Sequence, residues 1–324
     1  GGKVLLDYLI EQLEKTGIEI YYLLDKRVEN KHPVIKLGNK VQYIKGGLLS
    51  KHRFYQANGD SFQKILCFAN FPPDIRVKGI VYTYFHQLLF IKAAAELSFF
   101  TRLLIRLKVA VFKWSVKNSD YWLVQSNEVK SALSAKFKGI VASQVLVLPF
   151  YPPLITVTDV GRKKHSFLYV STGHPYKNHE RLLAAFVHFF NEHKIGELHL
   201  TVGPDFADLY KRIVNLQQTG YPIINHGFVE RSHLGAIYRA SEFVIYPSMA
   251  ESFGLGIVEA IENGCKIIGS DLPWLYAVCE PSLIFESESI ESIYLALHKA
   301  VTEDVKLSRQ LIFSQVEQIL NLLK

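Results

Sequence analysis

Residues 246–259 read Tyr-Pro-Ser-Met-Ala-Glu-Ser-Phe-Gly-Leu-Gly-Ile-Val-Glu. Just before them, Phe243-Val-Ile-Tyr246 is a β-branched and aromatic run that stops at a proline, and a helical period follows from Leu255 to Glu262. The stretch is therefore a strand, a loop and a helix. In an open parallel sheet, ligands bind beyond the carboxyl ends of the strands, so this loop is where chemistry is expected. The free N–H groups of Phe253 to Gly256 would face a phosphate, aided by the helix dipole. Gly254 lets the backbone approach closely. Glu259, one turn into the helix, can present its carboxylate to a ribose diol, and Glu251 on the loop can reach sugar hydroxyls. Either carboxylate taken alone reads more simply as a solvated surface group.

The same alternation extends in both directions. Phe167–Val170, Leu198–Val202, Ile223–Ile224, Phe243–Tyr246, Lys266–Ile268 and Leu283–Phe285 read as strands, separated by helical periods near 179–193, 207–218, 232–240 and 255–262. Crossovers of that length predict a parallel sheet covered on both faces, a Rossmann-like unit. The first half alternates less cleanly. Lys3–Lys15 reads as an amphipathic helix, Ile18–Leu24, Ile65–Phe68, Gly79–Thr83, Tyr121–Val124 and Val145–Leu148 as strands, and Leu88–Lys117 as a long cationic helix. Pro149, Pro152 and Pro153, with the aperiodic Val157–Lys164, mark a linker. The expected division is 1–152, 153–306, and a last helix at 307–323 within 307–324 that packs back on the first domain. A Gly pair opening directly into a helix is where a first strand would normally end, so the first strand of the N-terminal domain reads as missing.

Composition narrows the classes. The 324 residues are 49% hydrophobic and 21% charged, which excludes disorder and leaves room for two domains. Three well-separated cysteines, Cys67, Cys265 and Cys279, argue against a disulfide framework and point to a reducing compartment. The twelve histidines show no metal-ligand spacing, and no apolar run approaches the ~20 residues that span a bilayer. The chain is thus expected to be cytoplasmic, with a peripheral place at the inner membrane surface left open. The charge is uneven: residues 1–150 hold 22 Lys and Arg against 11 Asp and Glu, residues 151–324 hold 15 against 19. The basic half suits an anionic surface or an acidic acceptor, and no zinc-finger, RRM or basic-zipper pattern points to nucleic acid.

A second segment, Ser171-Thr-Gly-His-Pro-Tyr-Lys-Asn-His179, places Lys177 on a strand-to-helix loop, suited to a point-charge contact with a diphosphate. Together with His226-Gly-Phe228, Leu234-Gly-Ala-Ile-Tyr-Arg-Ala240, Glu251-Ser-Phe-Gly-Leu and Glu259-Ala260, it resembles the C-terminal domain of family 4 retaining glycosyltransferases of the GT-B fold, from Phe167 to about Phe285. The first half resembles that family loosely, through Tyr84-Phe85-His86 and Gln125-Ser126. The resemblance implies two Rossmann-like domains facing across a cleft. It also implies transfer of a sugar from a nucleotide-sugar to a glycan or lipid-linked acceptor, with retention and without metal or other cofactor. Glu259 would bind ribose, Lys177 the diphosphate, and Glu251 the donor sugar. Thr172 and the backbone of Ser252, Phe253, Gly254 and Leu255 would complete the donor site, and His86 would contact sugar or acceptor. One departure stands out: many members carry an Arg near that lysine, where this chain has Thr172 and Tyr176.

Rival readings stay open at this level. Paired Glu251 and Glu259 could flank a glycosidic bond, although a helix N-terminus and a lysine suit phosphate better. An epimerase on the same fold, or a catalytically weak sugar- or partner-binding relative, would carry the same motifs. The stretch Lys92–Lys117 interleaves cations with Leu, Ile, Val, Phe and Trp114. It could lie on an anionic membrane, or pack on the sheet with its lysines reaching out.

Overall fold

The computed structural model describes residues 2–86, 90–91, 99–154, 161–251 and 253–324. Two compact units result: Gly1–Pro152 with Phe313–Lys324, and Pro153–Ile312.

In the first unit, α1 (Gly2–Leu13) precedes β1 (Tyr21–Asp25), β2 (Lys40–Ile44), α2 (Leu48–Asn58), β3 (Lys64–Cys67) and β4 (Ile80–Tyr84). Then come α3 (Phe99–Ser115), β5 (Tyr121–Val124), α4 (Asn127–Lys136) and β6 (Val145–Val147). The strands form a parallel pair β1-β2 and a parallel four-stranded sheet β3-β4-β5-β6. One face of that sheet is an aromatic core of Phe85, Phe90, Phe112, Trp122 and Phe137, with Ile105 and Val116 buried beside them. The expected helix Leu88–Lys117 is described from Phe99 onward and ends in a 3-10 turn at Val116–Asn118; Lys92 lies outside the described residues.

The second unit runs β7 (Lys163–Tyr169), α5 (His179–His193), β8 (Glu197–Leu200), α6 (Ala207–Gln218), β9 (Ile223–Asn225), α7 (Arg231–Ala240) and β10 (Ser241–Tyr246). It continues through α8 (Leu255–Glu262), β11 (Lys266–Ser270), α9 (Pro273–Tyr276), β12 (Cys279–Glu280), β13 (Leu283–Phe285), α10 (Ile290–Thr302) and β14 (Arg309–Gln310). Six parallel strands lie in the order β13-β11-β10-β7-β8-β9. Their middle residues, Phe167, Leu168, Val244, Ile245, Ile267 and Ile268, are buried, as strands covered on both faces must be. The chain moves one way from β7 through β8 to β9 and the other way from β10 through β11 to β13. The gap between the ends of β7 and β10 is therefore the topological switch point.

Three boundaries differ from the sequence reading. Strand β7 begins at Lys163, inside the stretch read as linker, because Lys163 pairs with Glu197 and the His165 N–H donates to Glu242 (2.8 Å). The pair β2 and α2 was not anticipated: β2 alternates exposed Lys40 and Gln42 with partly buried Val41 and Tyr43, and α2 buries only Phe54. The final helix, α11, spans Val316–Leu323 and not 307–323. Ahead of it, β14 pairs antiparallel with β12 and Ser308 Oγ accepts the N–H groups of Ile267 (2.8 Å) and Ser282 (3.1 Å). Within the first unit, the Gln315 N–H donates to Pro149 O (2.7 Å) and leads into α11.

Candidate donor site

The two motif loops follow β7 and β10, adjacent strands, and the structure stitches them together. Met249 N–H donates to Tyr176 O (2.9 Å), and the Tyr169 hydroxyl donates to Lys177 O (3.0 Å) and shares a hydrogen bond with Ser248 Oγ (2.7 Å). Asn178 sits in left-handed backbone (φ 62°) and donates its side-chain amide to Pro247 O (3.1 Å) and Ser287 O (2.6 Å). Tyr169, Ser248 and Asn178 are buried, so these bonds stand in for water that the loop backbone cannot reach.

On this scaffold Lys177 Nζ lies 2.5 Å from Glu251 Oε1, with their side chains only 15% and 12% exposed. Both had a plain alternative as solvated surface groups; burial and pairing remove it. The ammonium also lies 5.3 Å from the centre of the Tyr176 ring. A short loop has brought a cation and a carboxylate, 74 residues apart in sequence, into contact at the switch point.

Glu259 is more deeply placed, 4% exposed, and Arg231 from the first turn of α7 pairs with its Oε1. The Tyr238 hydroxyl donates to its other oxygen at 3.4 Å. Burial pushes the carboxyl up from the usual carboxylate range, against the opposing pull of the Arg231 guanidinium and the Tyr238 hydroxyl. Arg231 was not found in the sequence because its partner is 28 residues away and nothing local marks it.

Helix α8 starts at Leu255 with Gly254 as its cap at φ 69°, a left-handed conformation that favours glycine. Phe253 is buried and anchors the turn, which leaves the first N–H groups of α8 at the end of β10. Gly256 is a further requirement that the sequence did not reveal. A Cβ there would lie 2.1 Å from the Tyr246 hydroxyl and 2.9 Å from that of Tyr238, both rings being buried. Thr172 is exposed on the loop after β7. Ser252 lies outside the described residues. Among the described residues no group of three or more His, Cys, Asp or Glu could hold a metal ion.

His86 belongs to the first unit, just past the carboxyl end of β4. Asn70, itself at φ 67°, accepts the His86 backbone N–H (2.6 Å), and its amide lies 3.4 Å from His86 Nε2. The ring packs 5.4 Å from Phe68, and burial pushes its pKa below the ordinary histidine value. Its Nδ1 has no hydrogen-bond partner among the described residues. His174 is exposed, whereas His179 is buried against Tyr169, 4.7 Å between ring centres.

Two Rossmann-like units of this kind make the GT-B architecture, and solved structures share it. Sucrose-phosphate synthase from Thermosynechococcus elongatus matches with a TM-score of 0.71 at 18% identity, over 94% of this chain and 84% of its own. WaaG, a glycosyltransferase involved in lipopolysaccharide biosynthesis, matches at 0.68 and 13% identity over 99% and 96%. HepE (Alr3699) from Anabaena, solved in complex with UDP and glucose, matches at 0.62 and 12% over 94% and 87%. A search of curated protein sequences finds no match. Residues 156–313 match the family described as glycosyl transferases group 1.

Proposed function

We propose that the protein transfers a sugar from a nucleoside-diphosphate-sugar to a glycan or lipid-linked acceptor on the cytoplasmic side, with retention at the anomeric carbon and without a metal. The observation that carries this reading is the Lys177–Glu251 pair at the switch point, beside the N-terminus of α8. Donor entry exchanges partners: the diphosphate takes Lys177 Nζ and the α8 N–H groups, and Glu251 is freed to accept hydrogen bonds from sugar hydroxyls. As the bond from the anomeric carbon to the diphosphate breaks, charge gathers on the leaving oxygens. Preorganised cations and N–H groups stabilise it by several kcal/mol. Glu259, held by Arg231, accepts the ribose hydroxyls, and by the resemblance His86 contacts sugar or acceptor. Retention rests on the resemblance to family 4. HepE with UDP and glucose, and the pneumococcal O-GlcNAc transferase GtfA with UDP and GlcNAc, favour a uridine donor, and WaaG favours a glycan acceptor.

The test is binding and turnover over UDP-, GDP- and ADP-sugars, with and without EDTA, for wild type, Glu259→Ala and Lys177→Ala. Selective binding of one donor, weakened by both substitutions, with EDTA-insensitive release of its nucleoside diphosphate and an unchanged anomeric configuration in the product, is expected. Donor binding that ignores both substitutions would refute the site.

A further inference from the structure

Helix α3 is apolar on two opposite faces. At about 100° per residue, Ile105, Val109 and Phe112 share one side, where Ile105 and Phe112 are buried in the aromatic core and Phe112 packs 4.7 Å from Phe137 and 5.3 Å from Trp122. That face accounts for the packing on the sheet. Leu103, Leu104, Leu107 and Trp114, within about 100° of one another around the helix axis, share the other side, and all are exposed, Trp114 to 60%. A helix that serves only its own core has no use for this second stripe.

The charge around the stripe identifies what covers it. Arg106, Lys113 and Lys117 border one edge and Lys108 the other, and residues 99–117 contain no Asp or Glu. A second copy of the chain would bring like charges together along the same seam. An anionic bilayer matches both features, taking the leucines and Trp114 into the headgroup boundary while the cations meet lipid phosphates. The 17-residue helix is about 25 Å long and lies along such a surface; among the described residues no helix is long and apolar enough to cross a membrane. We propose that α3 is an in-plane docking helix for anionic membrane, through Leu103, Leu104, Leu107 and Trp114 flanked by Arg106, Lys108, Lys113 and Lys117. The inference stands apart from the transferase reading, because vesicle binding is read without turnover.

Sedimentation of the full chain with vesicles of phosphatidylcholine alone, or with 30% phosphatidylglycerol, tests it. Binding is expected on the anionic vesicles only and falls with salt. Trp114 provides a local signal, since Trp122 and Trp274 are buried. Tryptophan emission shifts to the blue on binding, and Trp114→Phe removes the shift. Each neutralised cation lowers the partition coefficient about fivefold, so Arg106→Gln/Lys108→Gln/Lys113→Gln together lower it about a hundredfold. Leu104→Ser/Leu107→Ser abolishes the blue shift. Circular dichroism and thermal unfolding confirm that these surface variants fold. Equal binding to neutral and anionic vesicles would overturn the proposal. So would unchanged binding by the folded leucine variant, or a wild-type dimer in light scattering that the leucine variant breaks while vesicles go unbound.

Discussion

The Arg231–Glu259 pair can be tested by removing the cation. Arg231→Met keeps most of the stem and deletes the guanidinium facing a carboxylate that is 4% exposed. Stripping a fully buried pair of one partner costs about 3–5 kcal/mol. Arg231 is 26% exposed, so water can partly replace it and about 2–3 kcal/mol is the appropriate figure while Glu259 stays ionised. The carboxyl has another way out, which is to take up a proton. Its folded-state pKa already lies above the ordinary value because of burial. Relative to the unfolded chain, the protonated carboxyl therefore favours folding below the unfolded value, and that contribution is lost as pH rises through the folded one. Deleting Arg231 raises the folded value further. The deficit of the variant should be smallest at the acid end and widen as the pH is raised to 8, by about 2–4 °C per kcal/mol for a unit of this size. Adding Glu259→Gln to Arg231→Met should erase the pH dependence of the deficit. Thermal melts from pH 5 to 8 on the four proteins decide the matter. A deficit that stays constant across that range would refute the reasoning, since it would mean that Arg231 acts through packing alone.

Other perturbations bear on the same region. Lys177→Ala should weaken nucleoside diphosphate binding about 10- to 100-fold by calorimetry, the loss of one charge-assisted bond of about 1.5–3 kcal/mol. Glu251→Gln should bind the free diphosphate more tightly than wild type, because Lys177 no longer starts from an ion pair, while turnover of the complete donor falls. Gly256→Ala should destabilise by about 1–3 kcal/mol in chemical denaturation, since its Cβ meets two buried tyrosine hydroxyls and the rings have nowhere to retreat. His179, buried and pushed down to about 3, stays neutral in the fold while the unfolded chain takes up a proton below about 6.5, so stability drains away between those values. His179→Phe should flatten that acid sensitivity in melts taken from pH 7 to 4.

What the sequence disclosed and what it withheld follow from the range of the interactions involved. Strands β7, β8, β10 and β11 were legible because a strand covered on both faces is a short continuous apolar run, and such runs need no knowledge of their neighbours. Elements defined by distant partners were not. Strand β14 is two residues long and is defined by its antiparallel pairing with the distant β12, so a helical pattern from 307 looked continuous with α11. Helix α2 carries exposed Leu48 and Leu49 and buries Phe54, which gives a weak period. At the candidate site the division is sharper still. Lys177, Glu251, Gly254 and Glu259 stand out in the sequence because each sits at a fixed offset from a strand end or a helix start. Their pairing was invisible, since Lys177 meets Glu251 across 74 residues and Arg231 meets Glu259 across 28. The partner of the Glu259 carboxylate is hidden for the same reason: the fold delivers Arg231 to it through another helix, α7. Offsets from secondary-structure ends thus locate a parallel-sheet site, while the charge balance within it is set by helices that pack side by side.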